Sequence, residues 1–215
     1  MTDNSPANGD AAPSSLMSQV LATLGELVAG HSAFRGDDTI HVARENILRV
    51  AELLRDTPEL AFDMLIDVTA VDYLGQPDGF VTPLTVWDRS LQAHKRIPMS
   101  RHHLVLPERG PEPRFAVVYH MLSTKLIHRL RIKCRVPEDD PTIPSVTPVW
   151  SGANWLERET YDLYGIRFAG HPDLRRIYLY EGFVGHPLRK DYLKRDNQPI
   201  DPHAGPAAKE PRRPN

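Results

Sequence analysis

The sequence predicts an α+β fold: a small mixed or antiparallel sheet with packed helices, followed by an extended C-terminal arm. Three observations carry this. Apolar residues recur at helical spacing over 16–29 and 44–56, strand-sized apolar runs follow at 64–73, 114–122 and 125–136, the last alternating cleanly, and beyond Gly165 the chain turns basic and rich in Gly and Pro. At 215 residues there is length for one domain with a true core and tails.

Residues 1–15 carry no apolar periodicity and read as a disordered leader before an α+β domain over 16–164. The first helix is expected from Leu16 to Ala29, with Leu16, Val20, Leu24, Leu27 and Val28 on one face and Gly30 closing it. A short strand, Thr39 to Ala43, leads to a second helix, Arg44 to Asp56. Its stripe is Ile47, Val50, Ala51 and Leu54, and Pro58 stands just past its end.

Met64 to Tyr73 reads as a mostly buried strand. Residues 74–113 form a Pro/His-rich insertion in which Val81 to Trp87 and His103 to Leu106 are candidate short strands. His94, His102 and His103 invite a metal reading, but adjacent imidazoles rarely converge on one ion, so no metal is assigned. Arg114 to Leu122 and Lys125 to Val136, separated by Ser123 and Thr124, are read as a hairpin.

In the second of these runs Leu126, His128, Leu130, Ile132, Cys134 and Val136 alternate with Arg129, Arg131, Lys133 and Arg135. The preferred reading of the four cations is a solvated outer sheet face. The sharper reading is a strip that docks on an acidic partner or nucleic acid. No aromatics interleave with the charges, and 26 basic against 28 acidic residues give no overall nucleic-acid field, so no nucleic-acid partner is expected. Cys134 is the only cysteine and is expected as a buried small hydrophobe; alone it cannot supply a four-cysteine zinc site or an iron–sulfur cluster.

Ser151 to Tyr164 reads as a helix with Ser151 as N-cap, Trp150 and Trp155 as a hydrophobic staple and Gly165 as a left-handed C-cap. On it lie Glu157, Arg158, Glu159 and Asp162, with Arg158 and Asp162 at ion-pair spacing. Three acids beside one Arg are expected on a solvated or interface face rather than in acid–base chemistry.

Residues 165–193 read as an extended basic partner-binding arm and 194–215 as a disordered tail. Gly165 to Arg195 holds seven cations against three anions, a net +4, which leaves −6 for the remainder. The arm repeats one element: Gly170-His171-Pro172 before Asp173, Leu174, Arg175 and Arg176, then Gly185-His186-Pro187 before Leu188, Arg189, Lys190 and Asp191. A short strand, Ile177 to Tyr180, is expected between the copies. Gly frees the turn and Pro forces the preceding His into extended backbone, so each imidazole is expected to hydrogen-bond backbone at a turn or interface. No third and fourth ligand supports a metal, and no nucleophile elbow supports covalent catalysis.

The run ERETYDLYGIRFAGHPDLRRIYLYEGFVGHPLRKDY closely resembles the signature of the 30-kDa subunit of respiratory complex I, a proton-translocating NADH:quinone oxidoreductase. FDMLIDVTAVDY, RFAVVYHMLSTKLIHRLRIKCRVPEDDP and PSVTPVWSGANWLERE resemble the same family in the same order. The resemblance implies an α+β domain with an extended arm, packed in the peripheral arm of the complex against the 49-kDa subunit near the quinone-reducing end. It also implies that the chain binds no cofactor, FMN and iron–sulfur clusters sitting in partner subunits, and that it lies peripherally on the cytoplasmic side of a bacterial inner membrane. Glu157, Arg158, Glu159, Asp162, Gly165 and both Gly-His-Pro elements with their flanks match the family pattern and carry over as structural and interface residues, with no catalytic role. A related hydrogenase complex is the alternative setting. Two departures stand out: typical members are expected to join the strands ending at Tyr73 and starting at Arg114 by a short turn, where this chain has some forty residues, and Tyr164 replaces Phe.

No run approaches the ~20 apolar residues of a membrane span. The first 34 residues hold Asp3, Asp10 and Glu26 but no Lys or Arg, so neither a secretory signal nor an Arg-rich presequence is expected.

Overall fold

The computed structural model describes residues 14–34, 36–74, 84–88, 93–97, 113–180 and 182–192, with backbone alone for 84–88 and 93–97. The expected tail, the expected leader before residue 14 and the candidate strand 103–106 lie outside these residues, as do the side chains of His94, His102 and His103.

Helix α1 spans Ser15–Leu24, capped by the Ser14 hydroxyl, which accepts from the Met17 amide. It stops five residues before the expected end. Gly25 at φ +54° turns the chain through one 3-10 turn, and Val28–Phe34 becomes strand β1, which the sequence did not suggest. Leu27 and Val28 fit helical spacing, but β1 gains an antiparallel ladder with β2, Asp37–Val42, across a turn at Gly36, φ +88°, with one register shift between Val28 and Gly30. Tertiary pairing overrides the local pattern here.

After a 3-10 turn, helix α2 runs over Ile47–Asp56 and buries Ile47, Val50, Ala51 and Leu54, the expected stripe. Strand β3 is Met64–Asp72, and β4, Leu84–Asp88, pairs with β5, Ala93–Ile97, as an antiparallel hairpin within the insertion. Strands β6, Phe115–Ser123, and β7, His128–Val136, form the expected hairpin, but residues 124–127 make a four-residue connection in place of the expected two. Leu126 therefore leaves the alternating row and is exposed, and Ile127 adopts φ +53°, a strained value for a β-branched residue.

The five-stranded sheet runs β1-β2-β7-β6-β3, antiparallel except for β2 against β7. Leu130, Ile132, Cys134 and Val136 of β7 meet Met17, Val20, Ile47, Val50 and Leu54 of the helices in one core. Burial pushes the Cys134 thiol well up, as suits an inert core position. The four β7 cations face outward as expected, though not wholly solvated: Arg131 pairs with Asp37 at 3.0 Å and Arg135 lies over the Tyr73 ring at 4.1 Å.

Strand β8, Thr142–Pro144, precedes helix α3, Ala153–Tyr164, and β9, Arg167–Ala169, pairs in parallel with β8. Gly152, not Ser151, stands at the α3 N-cap, without a side-chain cap. Nor is there a Trp staple. Trp150 is buried and its indole donates to the Phe62 carbonyl at 3.0 Å, whereas Trp155 is 63% exposed.

Candidate functional site

Helix α3 has two buried seams. Ala153, Glu157 and Thr160, spaced at three and four residues, face the sheet; Arg158 and Asp162, one turn apart, face the arm. The solvated or interface face expected for these acids is corrected for two of them, because Glu157 and Asp162 are both 0% exposed and are covered within the chain itself. Glu159 is half-buried.

On the sheet seam, Glu157 accepts from the Ser145 hydroxyl at 2.6 Å and from the Val146 amide at 2.7 Å. Both donors are neutral. Burial dominates over these two hydrogen bonds and pushes the carboxyl up to about 7. Thr160 donates to the Val68 carbonyl at 3.0 Å and ties the helix to β3.

On the arm seam, the expected Arg158–Asp162 pair does not form. Arg158 donates to the Arg175 carbonyl at 3.1 Å and lies over the Trp155 ring. Asp162 instead receives Arg176 at 3.1 Å and the consecutive amides of Ile177, Tyr178 and Leu179 at 3.1, 2.8 and 2.9 Å. Three successive N–H groups converging on one carboxylate form a nest. Residues 177–180 are thus no strand, because their amides are spent on Asp162 rather than on a ladder.

Both imidazoles bond backbone. His171 accepts from the Asp173 amide through Nδ1, leaving Nε2 to donate to the Asn154 carbonyl at 3.1 Å. His186 meets the Asp162 carbonyl through Nδ1 at 2.9 Å, and burial lowers its pKa. Gly170 and Gly185 take φ +82° and +93°, the freedom that the His-Pro turns require. Gly165 is the expected left-handed cap at φ +74°, and a Cβ there would sit 2.5 Å from His186 Nε2 and 2.6 Å from an Arg189 nitrogen. The second turn is laid directly on the end of α3: Leu188 donates its amide to Leu163 and Arg189 its side chain to Tyr164.

A second clasp closes the arm on the sheet, and its centre was not anticipated from the sequence. Arg114 grips Asp72 through two bonds of 2.9 and 2.7 Å, Asp191 through two of 3.0 and 2.8 Å, and Glu138 at 2.6 Å. The Lys190 amide also donates to Asp72, at 2.8 Å. Burial pushes the Asp72 carboxyl up, but Arg114 and the Lys190 and Leu74 amides outweigh it and hold it below its ordinary value. A signal existed: Asp72 continues the inward row of Val68 and Ala70, where an unpaired acid does not belong. Asp173 and Arg175 pair with each other at 2.9 Å in solvent, beside the exposed Pro172; Pro187 is half-buried in the second turn.

Among the described residues, no three His, Cys, Asp or Glu side chains are arranged to hold a metal ion, and no helix is long and apolar enough to cross a membrane. Asp162, His171 and His186 fix the arm to the body. Residues 40–198 match the family model of the respiratory-chain NADH dehydrogenase 30-kDa subunit, and the chain belongs to that family. It is 42% identical over 177 residues to an NADH-quinone oxidoreductase subunit of Legionella pneumophila, a match that covers 82% of this chain and 76% of the relative. Against the equivalent protein of Roseiflexus castenholzii the identity is 40% over 176 residues, covering 82% and 81% of the two chains. The fold is similar to a chain of the membrane-bound sulfane sulfur reductase, an archaeal respiratory membrane complex, with a TM-score of 0.56 and 17% identity over 82% of this chain and 83% of that one.

Proposed function

We propose that this chain is a redox-inactive structural subunit of a bacterial NADH:quinone oxidoreductase, on the cytoplasmic side of the membrane. Electrons pass from NADH through FMN and iron–sulfur centres in other subunits to quinone, coupled to proton translocation. This chain holds its neighbours, the 49-kDa subunit first among them, at fixed distances. The observation that supports this is the double clasp: Asp162 and Arg114 fasten the arm while leaving Tyr178, Val184 and Leu188 exposed along it, at 65%, 74% and 47%. Exposed large apolar residues on a rigid frame suit a protein interface.

Affinity purification through this chain, with peptide identification of what comes with it, tests the setting. The expected companions are the 49-kDa subunit and the cluster-bearing subunits; a nickel-binding large subunit would move the chain to a hydrogenase-type complex. Deleting residues 185–191 is expected to release the peripheral module while partner clusters keep their spectra, and normal assembly after that deletion would count against the structural role.

A further inference from the structure

One buried acid takes no part in fastening the arm through charge. Among the described residues Glu157, in the core, has no cation as a partner; Arg158, its neighbour, is turned to Trp155 and the Arg175 carbonyl. A buried carboxyl held only by a hydroxyl and an amide favours its protonated form, and exchanging that proton with solvent needs a route. The route is present. The Ser145 hydroxyl that contacts Glu157 at 2.6 Å also lies 2.8 Å from the Thr147 hydroxyl, a contact in which either oxygen can donate. Thr147 is half-buried and lines an open depression of about 380 Å³ with Ser151, Asn154, Gly170 and Pro172, beside the first Gly-His-Pro turn.

We propose that Glu157, Ser145 and Thr147 form a proton-exchange site, in which a buried carboxyl takes up and releases a proton through two hydroxyls that open to solvent beside Gly170. Uptake is a concerted shift along the chain: a solvent proton binds Thr147 Oγ1, the Thr147 proton passes to Ser145 Oγ, and the Ser145 proton passes to Glu157 Oε2. Each hydroxyl is regenerated with its direction reversed, and the carboxylate becomes a neutral acid. The Val146 amide keeps its acceptor in both states, through the other carboxyl oxygen.

The surroundings suit a shared proton. From β6 the Tyr119 hydroxyl is fully buried with no hydrogen-bond partner among the described residues, and from β7 comes the buried Cys134 thiol. Burial first, then the fields of Cys134 and Glu157, push the Tyr119 phenol up, so Tyr119 stays neutral and does not compete for the charge. Glu45 acts on the Cys134 side of this group. Ionising Glu157 adds charge to a pocket that no cation among the described residues offsets.

Infrared difference spectra of the full chain with labelled glutamate, titrated from about pH 5 to about pH 9, test the proposal. Wild type is expected to show one protonated glutamic acid band with a midpoint near 7, absent in Glu157→Gln. Ser145→Ala removes a bond to the charged form and is expected to raise that midpoint. Thr147→Val, which leaves the Glu157 contacts in place, is expected to keep the midpoint near that of wild type yet slow hydrogen–deuterium exchange of the carboxyl by about tenfold or more, the loss of one relay step. A wild-type carboxyl already ionised at the acid end would overturn the site, and exchange at the wild-type rate in Thr147→Val would overturn the relay.

Discussion

Replacing Asp162 by Asn should free the arm. The carboxylate is wholly buried and accepts four bonds from the arm, one of them from Arg176, whose side chain is 21% exposed. The amide keeps the shape and one acceptor oxygen, but turns an NH₂ toward donors and removes the charge opposite Arg176. Breaking a buried pair from one side costs roughly 3–5 kcal/mol, and the retained acceptor places the expected cost near the lower limit, about 3 kcal/mol. For a chain of this size that corresponds to a fall in Tm of about 6–12 °C if the loss is global. If the arm opens alone, trypsin will cut at Arg175 and Arg176 long before the body unfolds. Urea unfolding and timed proteolysis distinguish the two outcomes. Asp173→Asn is the control, because its pair with Arg175 is exposed and is worth under about 0.5 kcal/mol. An Asp162→Asn chain as stable and as protease-resistant as wild type would show that the amide nest, not the charge, holds the arm.

Gly165→Ala is expected to cost about 1 kcal/mol for the left-handed backbone alone and more through its clash with His186, detected as faster amide exchange at Leu188. Arg114→Met strands Asp72, whose side chain is 0% exposed, and is expected to cost about 3 kcal/mol in urea, most of it lost again as pH falls and Asp72 is protonated; Asp191→Asn, 51% exposed, should cost well under half of that. Ile127→Gly removes a strained φ at a residue 78% exposed and is expected to stabilise the chain by about 1 kcal/mol, read as a higher denaturation midpoint. Glu157 binds a proton more tightly folded, with a pKa of about 7, than unfolded, near 4.5, so wild type should lose stability as pH rises through that window, by about 3 kcal/mol relative to Glu157→Gln; parallel pH–stability curves for the two would refute this.

The α2 stripe, the alternation of β7 and the glycine cap at Gly165 were legible in the sequence because each rests on local periodicity or backbone freedom. β1 was not, since Val28 to Phe34 carries no strand alternation and is fixed by its ladder with β2. The α3 acids were misjudged for a related reason. Helical spacing gives the face of Glu157 and Asp162 but not what covers it, and Asp162 is covered by amides fifteen to seventeen residues downstream. The clasp at Arg114 joins residues 42 and 77 positions apart, which only the fold brings together.

The two buried acids of α3 receive opposite treatment from their donors, and the difference bears on how the arm is held. Asp162 meets a guanidinium and three amides, so its seam is ionic and local to residues 176–179. Glu157 meets one hydroxyl and one amide and holds the loop at 145–147. That loop is also the root of the arm, because the Ser145 amide donates to the Ala169 carbonyl at 2.8 Å and β8 pairs with β9 immediately before Gly170. The arm is therefore pinned by charge at residues 176–191 and, at its start, by a contact whose donor–acceptor sense depends on one proton.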